Sequence, residues 1–261
     1  YTDVTQTITI DDITNPTGTA PADVTVECSG DVPAADITAI TDEADNCTVN
    51  PTVTHEGDVS NGGSCPEIIT RTYRITDDCG NYTDVTQTIT INDITNPTGT
   101  APADVTVECS GDVPAADITA ITDEADNCTI NPTVTHEGDV SNGGSCPEII
   151  TRTYRITDDC GNYTDVTQTI TIDDTQAPLI SGTILDQPAN AMGSCIYEVP
   201  DVIGLVSVTD NCTATPALTI TQSPTVGTEI SANTAVTITV ADECGNTATT
   251  FVNILVPASV T

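Results

Sequence analysis

The chain has no lysine and no tryptophan, one phenylalanine and one methionine. Its four arginines, Arg71, Arg74, Arg152 and Arg155, face 39 acids, and the formal net charge over 261 residues is −35. Binding to a phosphate backbone needs a basic face, so no nucleic-acid partner is expected. Adsorption to an anionic membrane is disfavoured for the same reason, and no apolar run is long enough to insert directly. Without lysine, no Lys–Asn isopeptide bond can harden the fold. The lack of tryptophan argues against a glycan platform. No G-x-S-x-G, P-loop or HExxH pattern occurs, so the chain is not expected to be an enzyme. No secretory leader is visible. The chain opens in mid-repeat and reads as a segment of something longer.

Thr, Val, Ile and Asp dominate instead, punctuated by Gly, Pro and Asn. Long helical patterns are missing, and the composition reads as all-β. Residues 1–81 and 82–162 align without a gap and differ only at Asp11/Asn92 and Val49/Ile130. A third copy starts at Tyr163, follows the pattern to Asp174 and then diverges. A period of this length is too long for a solenoid and suits one small β-sandwich per repeat.

In "DVTQTITI" (3–10), Val4, Ile8 and Ile10 share one parity and the threonines the other, which predicts a half-buried strand. The acids and proline that follow read as a linker. Residues 1–12 are therefore the last strand of a preceding domain. Repeat domains are expected at 13–93 and 94–174, and a divergent one at 175–261. Within the first, strands are predicted at 22–28, 36–41, 51–57, 67–76 and 84–91, with one or two short strands in the polar crossing 57–64. Six or seven strands match an immunoglobulin-like sandwich. The fold class expected is tandem immunoglobulin-like β-sandwich domains arranged as an extended string. With so few aromatics the core is thin, and such domains need staples.

The stretches "DNCT", "TRTYRITDDCGN" and "TQTITI", and the third copy's "VTDNCTATPALTIT" and "TAVTITVADECGNTAT", resemble the hyalin-repeat and related immunoglobulin-like modules of large surface adhesins of gliding and other Bacteroidota-type bacteria. The likeness covers nearly the whole chain. It implies an extracellular or cell-surface setting and a spacer role. The family carries an aromatic residue in the penultimate strand. Tyr73 and Tyr154 fit, whereas the third copy has Ile238 or Val240, so its core should pack differently.

Eleven cysteines in an acidic, lysine-free chain point to an oxidising compartment. Strand direction places Cys28 and Cys65 at the far end of their domain and Cys47 and Cys79 at the near end. The pairs expected are Cys28–Cys65 and Cys47–Cys79, with Cys109–Cys146, Cys128–Cys160 and Cys212–Cys244 as their counterparts. Cys195 is left over. Free buried thiols are the bland alternative. A four-thiolate zinc site is disfavoured because no C-x2-C spacing occurs.

Acids recur in three groups per period, and sandwich topology brings the linker group to the loop groups of the next domain. Asp11, Asp12 and Asn15 should meet Asp42, Glu43, Asp45, Asp77 and Asp78. Asn92, Asp93 and Asn96 should meet Asp123, Glu124, Asp126, Asp158 and Asp159. Asp173 and Asp174 should meet Asp210, Asp242 and Glu243. Oxygen-rich clusters of this kind suit structural Ca2+, which takes six to eight oxygens. No EF-hand spacing is present, and the alternative is a merely solvated acidic surface. His55 and His136 read as solvent-facing strand residues. The arginines should pair with local acids, with a carboxylate-ligand site as the alternative. The "Asn-Cys-Thr" and "Asn-Tyr-Thr" sequons are expected to be unmodified in a bacterial setting.

These readings converge on a structural stalk or filament segment of an extracellular adhesin. Its partners would be neighbouring repeats and identical chains in a filament. The rival is an adhesin module that binds glycan or protein; a hydrolase is a distant third.

Overall fold

Threonine alternates with isoleucine, valine and tyrosine along "EIITRTYRIT" and "YTDVTQTITI", and β-branched side chains favour a pleated backbone. In the structure, a computed structural model that describes residues 1–182, 184–193 and 196–257, these two runs form the longest strands of the first repeat. Its strands are β1 (Val24–Val26), β2 (Thr52–Ser60), β3 (Glu67–Thr76) and β4 (Tyr82–Ile91). They form one sheet in the order β1-β4-β3-β2. β2, β3 and β4 are antiparallel, and β1 joins β4 in parallel with Val26 opposite Ile91. The period-2 pattern turns Tyr73, Ile75, Ile89 and Ile91 to the buried face.

The layer opposite this sheet is almost free of strand. Thr17 bridges Ala44, and Ile40 packs on Tyr73 and Ile75. A Cβ on Gly18 would overlap the Ile75 side chain, so only glycine fits that approach. The strand expected over 36–41 does not form. Asp36 accepts from the Thr38 backbone N–H at 2.9 Å and from its hydroxyl at 2.6 Å, which closes a 3-10 turn over Ile37–Ala39. Such local side-chain bonding competes with sheet pairing. The crossing 57–64 holds no separate strand either. β2 runs on to Ser60 through a bulge between His55 and Gly57. Four strands thus replace the six or seven expected.

Two of the repeat's buried polar side chains, Arg71 and Gln87, lie in the sheet itself and find partners across the layer. The Arg71 guanidinium donates to both Asp58 oxygens at 2.9 and 2.8 Å and to the Pro33 carbonyl at 2.8 Å. The Gln87 amide donates to the Ala22 carbonyl at 2.6 Å. Both tie the sheet to the strand-poor layer.

The second repeat has β5 (Val105–Val107), β6 (Thr133–Ser141), β7 (Glu148–Thr157) and β8 (Tyr163–Ile172), in the order β5-β8-β7-β6. The third part has β9 (Leu179–Ser181), β10 (Gln187–Pro188), β11 (Asn190–Ala191), β12 (Tyr197–Glu198), β13 (Ser207–Thr209), β14 (Thr219–Ser223), β15 (Glu229–Ile230), β16 (Thr234–Ala241) and β17 (Thr247–Leu255). Its main sheet is β10-β17-β16-β14. Ile238 stands where the first two repeats have a buried tyrosine. It packs with Val199, Val202, Val236, Val252 and Ile254 in an all-aliphatic core. The architecture is all-β, with sheets in repeated sandwich-like units.

The chain divides into two compact units. The first comprises 1–100, 121–135 and 155–166, and the second 101–120, 136–154 and 167–261. Tyr1–Ile10 copies β4 residue for residue but carries no secondary structure. Its Val4, Ile8 and Ile10 are 93%, 77% and 86% exposed. Among the described residues, no helix is long and apolar enough to cross a membrane.

Candidate metal centres and the cysteines around them

Asp93 leaves β4 two residues after Ile91 and is buried, with 4% of its surface exposed. One carboxylate oxygen accepts from the Thr95 N–H at 3.0 Å, closing the Asx turn that begins the linker. Asp126, in the next repeat's loop, accepts from the Cys128 and Thr129 N–H groups at 2.9 and 2.8 Å through one oxygen. Asp158 begins the β7–β8 turn and accepts from the Cys160 and Asn162 N–H groups, both at 2.8 Å. Asn162 in turn donates from its amide to the Asp93 carbonyl at 3.0 Å. The same turn in the first repeat carries Gly80 at φ +91°, a left-handed position that glycine occupies without strain.

Three groups of carboxylates gather this way. One oxygen from each of Asp12, Asp45 and Asp77 lies within 4.8 Å of the others, as it does for Asp174, Asp210 and Asp242. Around Asp93 the group is Asp126 and the Cys128 sulfur, which is already spent in a disulfide. In each group some carboxylate oxygens are buried without any donor: Asp12 Oδ2 and Asp45 Oδ1, Asp93 Oδ2 and Asp126 Oδ1, Asp174 Oδ2 and Asp210 Oδ1. Glu43 Oε2 and Glu124 Oε2, in the same loops as Asp45 and Asp126, are orphaned too. A buried, unpaired carboxylate oxygen is costly and is met by a proton or a cation. Burial, then the negative charges of Asp126, Asp158 and Glu27, push the Asp93 carboxyl above its ordinary range, while the Thr95 N–H pulls the other way.

Other acids named from sequence do not join. Asp42 and Asp123 turn back to accept from the Thr19 and Thr100 N–H groups, each at 2.9 Å. Asp11, Asn15, Asp78, Asn96, Asp159 and Glu243 are exposed. Asn92 and Asp173 are half-buried, and their backbone N–H groups donate to Val26 and Val107 at 2.9 and 3.0 Å. Asp77 and Asp158 commit both oxygens to their own turns. Burial works against the charge on Asp77, but the Asn81 side chain and the turn's N–H groups outweigh it and keep that carboxyl low.

Sequence reasoning missed Glu27 and Glu108. Glu27 accepts from the Thr95 hydroxyl at 2.5 Å and from the Asn127 amide at 3.0 Å. Glu108 accepts from the Thr175 N–H at 2.8 Å. Each precedes a cysteine in "VECSG", and the signal becomes legible only once that cysteine's partner is known.

The cysteines pair across the repeat period. The disulfides are Cys28–Cys128, Cys65–Cys160, Cys109–Cys212 and Cys146–Cys244. Their Cα separations of 5.1 to 5.4 Å suit a disulfide. The pairs expected from sequence, Cys28–Cys65, Cys47–Cys79, Cys109–Cys146, Cys128–Cys160 and Cys212–Cys244, are therefore corrected. The physical reason lies in the register. Cys28 follows β1, whose Val26 pairs with Ile91, and Cys65 precedes β3, whose Glu67 also pairs with Ile91. Both thus sit where the chain leaves the repeat, beside the next repeat's loops. Strand direction locates the end of the sandwich but not the nearer neighbour. Cys47 and Cys79 are free and exposed. Cys195 lies outside the described residues. A polar cleft lined by Glu108, Cys109, Cys146, Asp174, Cys212 and Cys244 opens beside the second pair of staples.

The arginines pair locally. Arg74 donates to both Asp84 oxygens at 2.7 and 2.8 Å and lies 3.8 Å from the centre of the Tyr82 ring. Arg71 first, and His55 at 3.0 Å as a lesser influence, hold the Asp58 carboxyl down to about 2.

No protein-family model and no curated protein matches the chain. Among solved structures it is similar to Drosophila N-cadherin EC1-3, at 10% identity and TM-score 0.36, covering 92% of this chain and 99% of that one. It is similar to Drosophila N-cadherin EC1-4 at 11% and 0.33, covering 94% and 76%. Human CDH23 EC21-23 matches at 11% and 0.31, covering 93% and 100%.

Proposed function

We propose that this chain is a structural segment of an extracellular bacterial surface adhesin of the hyalin-repeat type, a stalk or filament whose successive repeats are locked to one another covalently and by Ca2+. The repeats are read as 13–93, 94–174 and 175–261, after a strand, 1–12, of a preceding copy. The observation that carries the reading is the cross-repeat direction of all four disulfides. A module that binds ligand on its own gains from staples inside itself. Staples between copies resist the separation of copies, and near-identical copies supply length. Disulfides of this number belong to an oxidising, extracytoplasmic setting. The role is structural rather than catalytic.

Ca2+ fits the orphaned buried oxygens of Asp12 and Asp45, Asp93 and Asp126, and Asp174 and Asp210. These residues would hold the ion, with Glu43 and Glu124 in the same loops as further oxygen donors. The ion would neutralise carboxylates that otherwise repel by about 1–4 kcal/mol per pair. Ligand binding at a hundredfold excess over Kd adds about 2.7 kcal/mol. The test is melting and small-angle scattering of the oxidised chain in Ca2+ and in chelator. The reading expects a higher Tm and a narrower distribution of dimensions with Ca2+. Identical curves in both would remove the cation and leave the disulfides as the only staples.

A further inference from the structure

Cys47 and Cys79 are the two free cysteines among the described residues, and both are exposed. Their counterparts one copy later, Cys128 and Cys160, are bonded to Cys28 and Cys65 of the copy before. Two copies later, Cys212 and Cys244 are bonded in the same way to Cys109 and Cys146. The sequence around the free pair, "DEADNC" and "TDDCGN", matches that around the bonded pair residue for residue. The local framework matches too. Asp45 accepts from the Cys47 N–H at 2.8 Å as Asp126 does from Cys128 at 2.9 Å, and Asp77 accepts from Cys79 at 2.9 Å as Asp158 does from Cys160 at 2.8 Å.

Two further features at this end lack what the later copies have. Asn46 and its counterpart Asn127 each donate to the neighbouring cysteine sulfur at 3.1 Å, but only the Asn127 amide also reaches Glu27 of the copy before, at 3.0 Å. Tyr1–Ile10 has the sequence of β4 and β8, whose isoleucines are buried at 0–7% exposure, yet its own Ile8 and Ile10 stand in solvent.

We infer that residues 1–12, Cys47 and Cys79 together form a docking end for one further copy of the same repeat. That copy's counterparts of Cys28 and Cys65 would bond to Cys47 and Cys79, and its sheet would take up Tyr1–Ile10 as closing strand. Its counterpart of Glu27 would reach Thr14 and Asn46. Each staple forms from two thiols and releases two protons and two electrons. The acceptor is a disulfide oxidant such as oxidised glutathione, reduced to two thiols by exchange. The inference rests on the cross-repeat pairing and not on Ca2+, so it stands or falls separately from the cation reading.

The test lengthens the full chain by placing a copy of residues 13–81 directly before Tyr1. The protein is refolded in a reduced and oxidised glutathione buffer, its thiols are alkylated, and its peptides are mapped without reduction. The alkylated cysteines are expected to move from Cys47 and Cys79 to their counterparts in the added copy, 81 residues upstream. Hydrogen exchange of Tyr1–Ile10 is expected to slow at least ~100-fold on lengthening, as pairing in a sheet requires. In the lengthened chain with Cys47→Ser, the added copy's counterpart of Cys28 should be alkylated as well, while its counterpart of Cys65 remains bonded to Cys79. Alkylation still on Cys47 and Cys79, a Cys47–Cys79 bond, or pairing within the added copy would each overturn the inference. Unchanged exchange over Tyr1–Ile10 would overturn its strand component.

Discussion

Replacing Cys28 with serine separates two ways of stapling this molecule. With Cys65–Cys160 intact, the Cys28–Cys128 bond closes a ring of about 69 residues, formed by the two chain segments between the staples. In the chain-entropy model that closure destabilises the unfolded state by about 4.4 kcal/mol. A bond from Cys28 to Cys65 would close a shorter loop and give a similar figure, near 3.8 kcal/mol. Both pairings therefore predict a fall in Tm on the order of 10–20 °C, and melting alone does not distinguish them. The thiol that is set free does. Under the observed pairing it is Cys128. Trypsin cuts only after the four arginines, at 71, 74, 152 and 155, so Cys128 lies on the 75–152 peptide and Cys65 on the 1–71 peptide. The variant is denatured without reduction, alkylated, digested and then reduced. The new label is expected on 75–152. A new label on the 1–71 peptide at Cys65 would falsify the cross-repeat pairing and the functional argument built on it.

In chelator, Asp93→Asn should melt at or above the parent chain. The Asp93 carboxyl is raised, so its charged form weakens the fold as pH climbs through that raised value, and asparagine removes the charge. In Ca2+ the order should reverse, and a variant that stays the more stable under both conditions refutes cation binding there. Asp58→Asn leaves the buried Arg71 without its carboxylate and should cost about 3 kcal/mol by urea denaturation at pH 7. Asp58 is depressed from 3.8 to about 2, so its contribution is present above pH 4 and lost as pH falls toward 2. The gap between variant and parent should close over that window, and a constant gap would assign the loss to packing. Ile75→Ala removes a side chain with no exposed surface and should cost about 3 kcal/mol, measured the same way.

The long strands were legible because their signal is local. Ile69, Tyr73 and Ile75 share a parity that can only be a sheet face, and β3 begins and ends where the pattern does. The opposite layer was not legible, because its order comes from Asp36 capping Thr38 and from Gly18 under Ile75, which are contacts rather than periodicities. The acidic groups were half legible. The linker acid at 12, 93 and 174 and the loop acid at 45, 126 and 210 could be named from their recurrence. Nothing in the sequence separates Asp45, with an oxygen to spare, from Asp42, which spends one on Thr19.

The cysteines teach the sharper lesson. A repeat gives every residue several equivalent neighbours, one in its own copy and one in each adjacent copy. Spacing within a copy is silent on which is nearer, and the constant 32-residue interval from Cys47 to Cys79 and from Cys212 to Cys244 is as well explained by two parallel staples as by one internal bond. The third part of the chain held the deciding clue. It keeps the two near-end cysteines, Cys212 and Cys244, and has no counterpart of Cys65; Cys195, four residues before a Val-Pro as Cys28 is, lies outside the described residues. An internal near-end bond would explain that loss only by supposing that the far-end bond had become dispensable there. Cross-repeat bonding explains it directly: this part receives two staples from the copy before it, through Cys109 and Cys146, and the cysteine it lacks is the equivalent of Cys65 and Cys146, each of which bonds into the next copy rather than within its own.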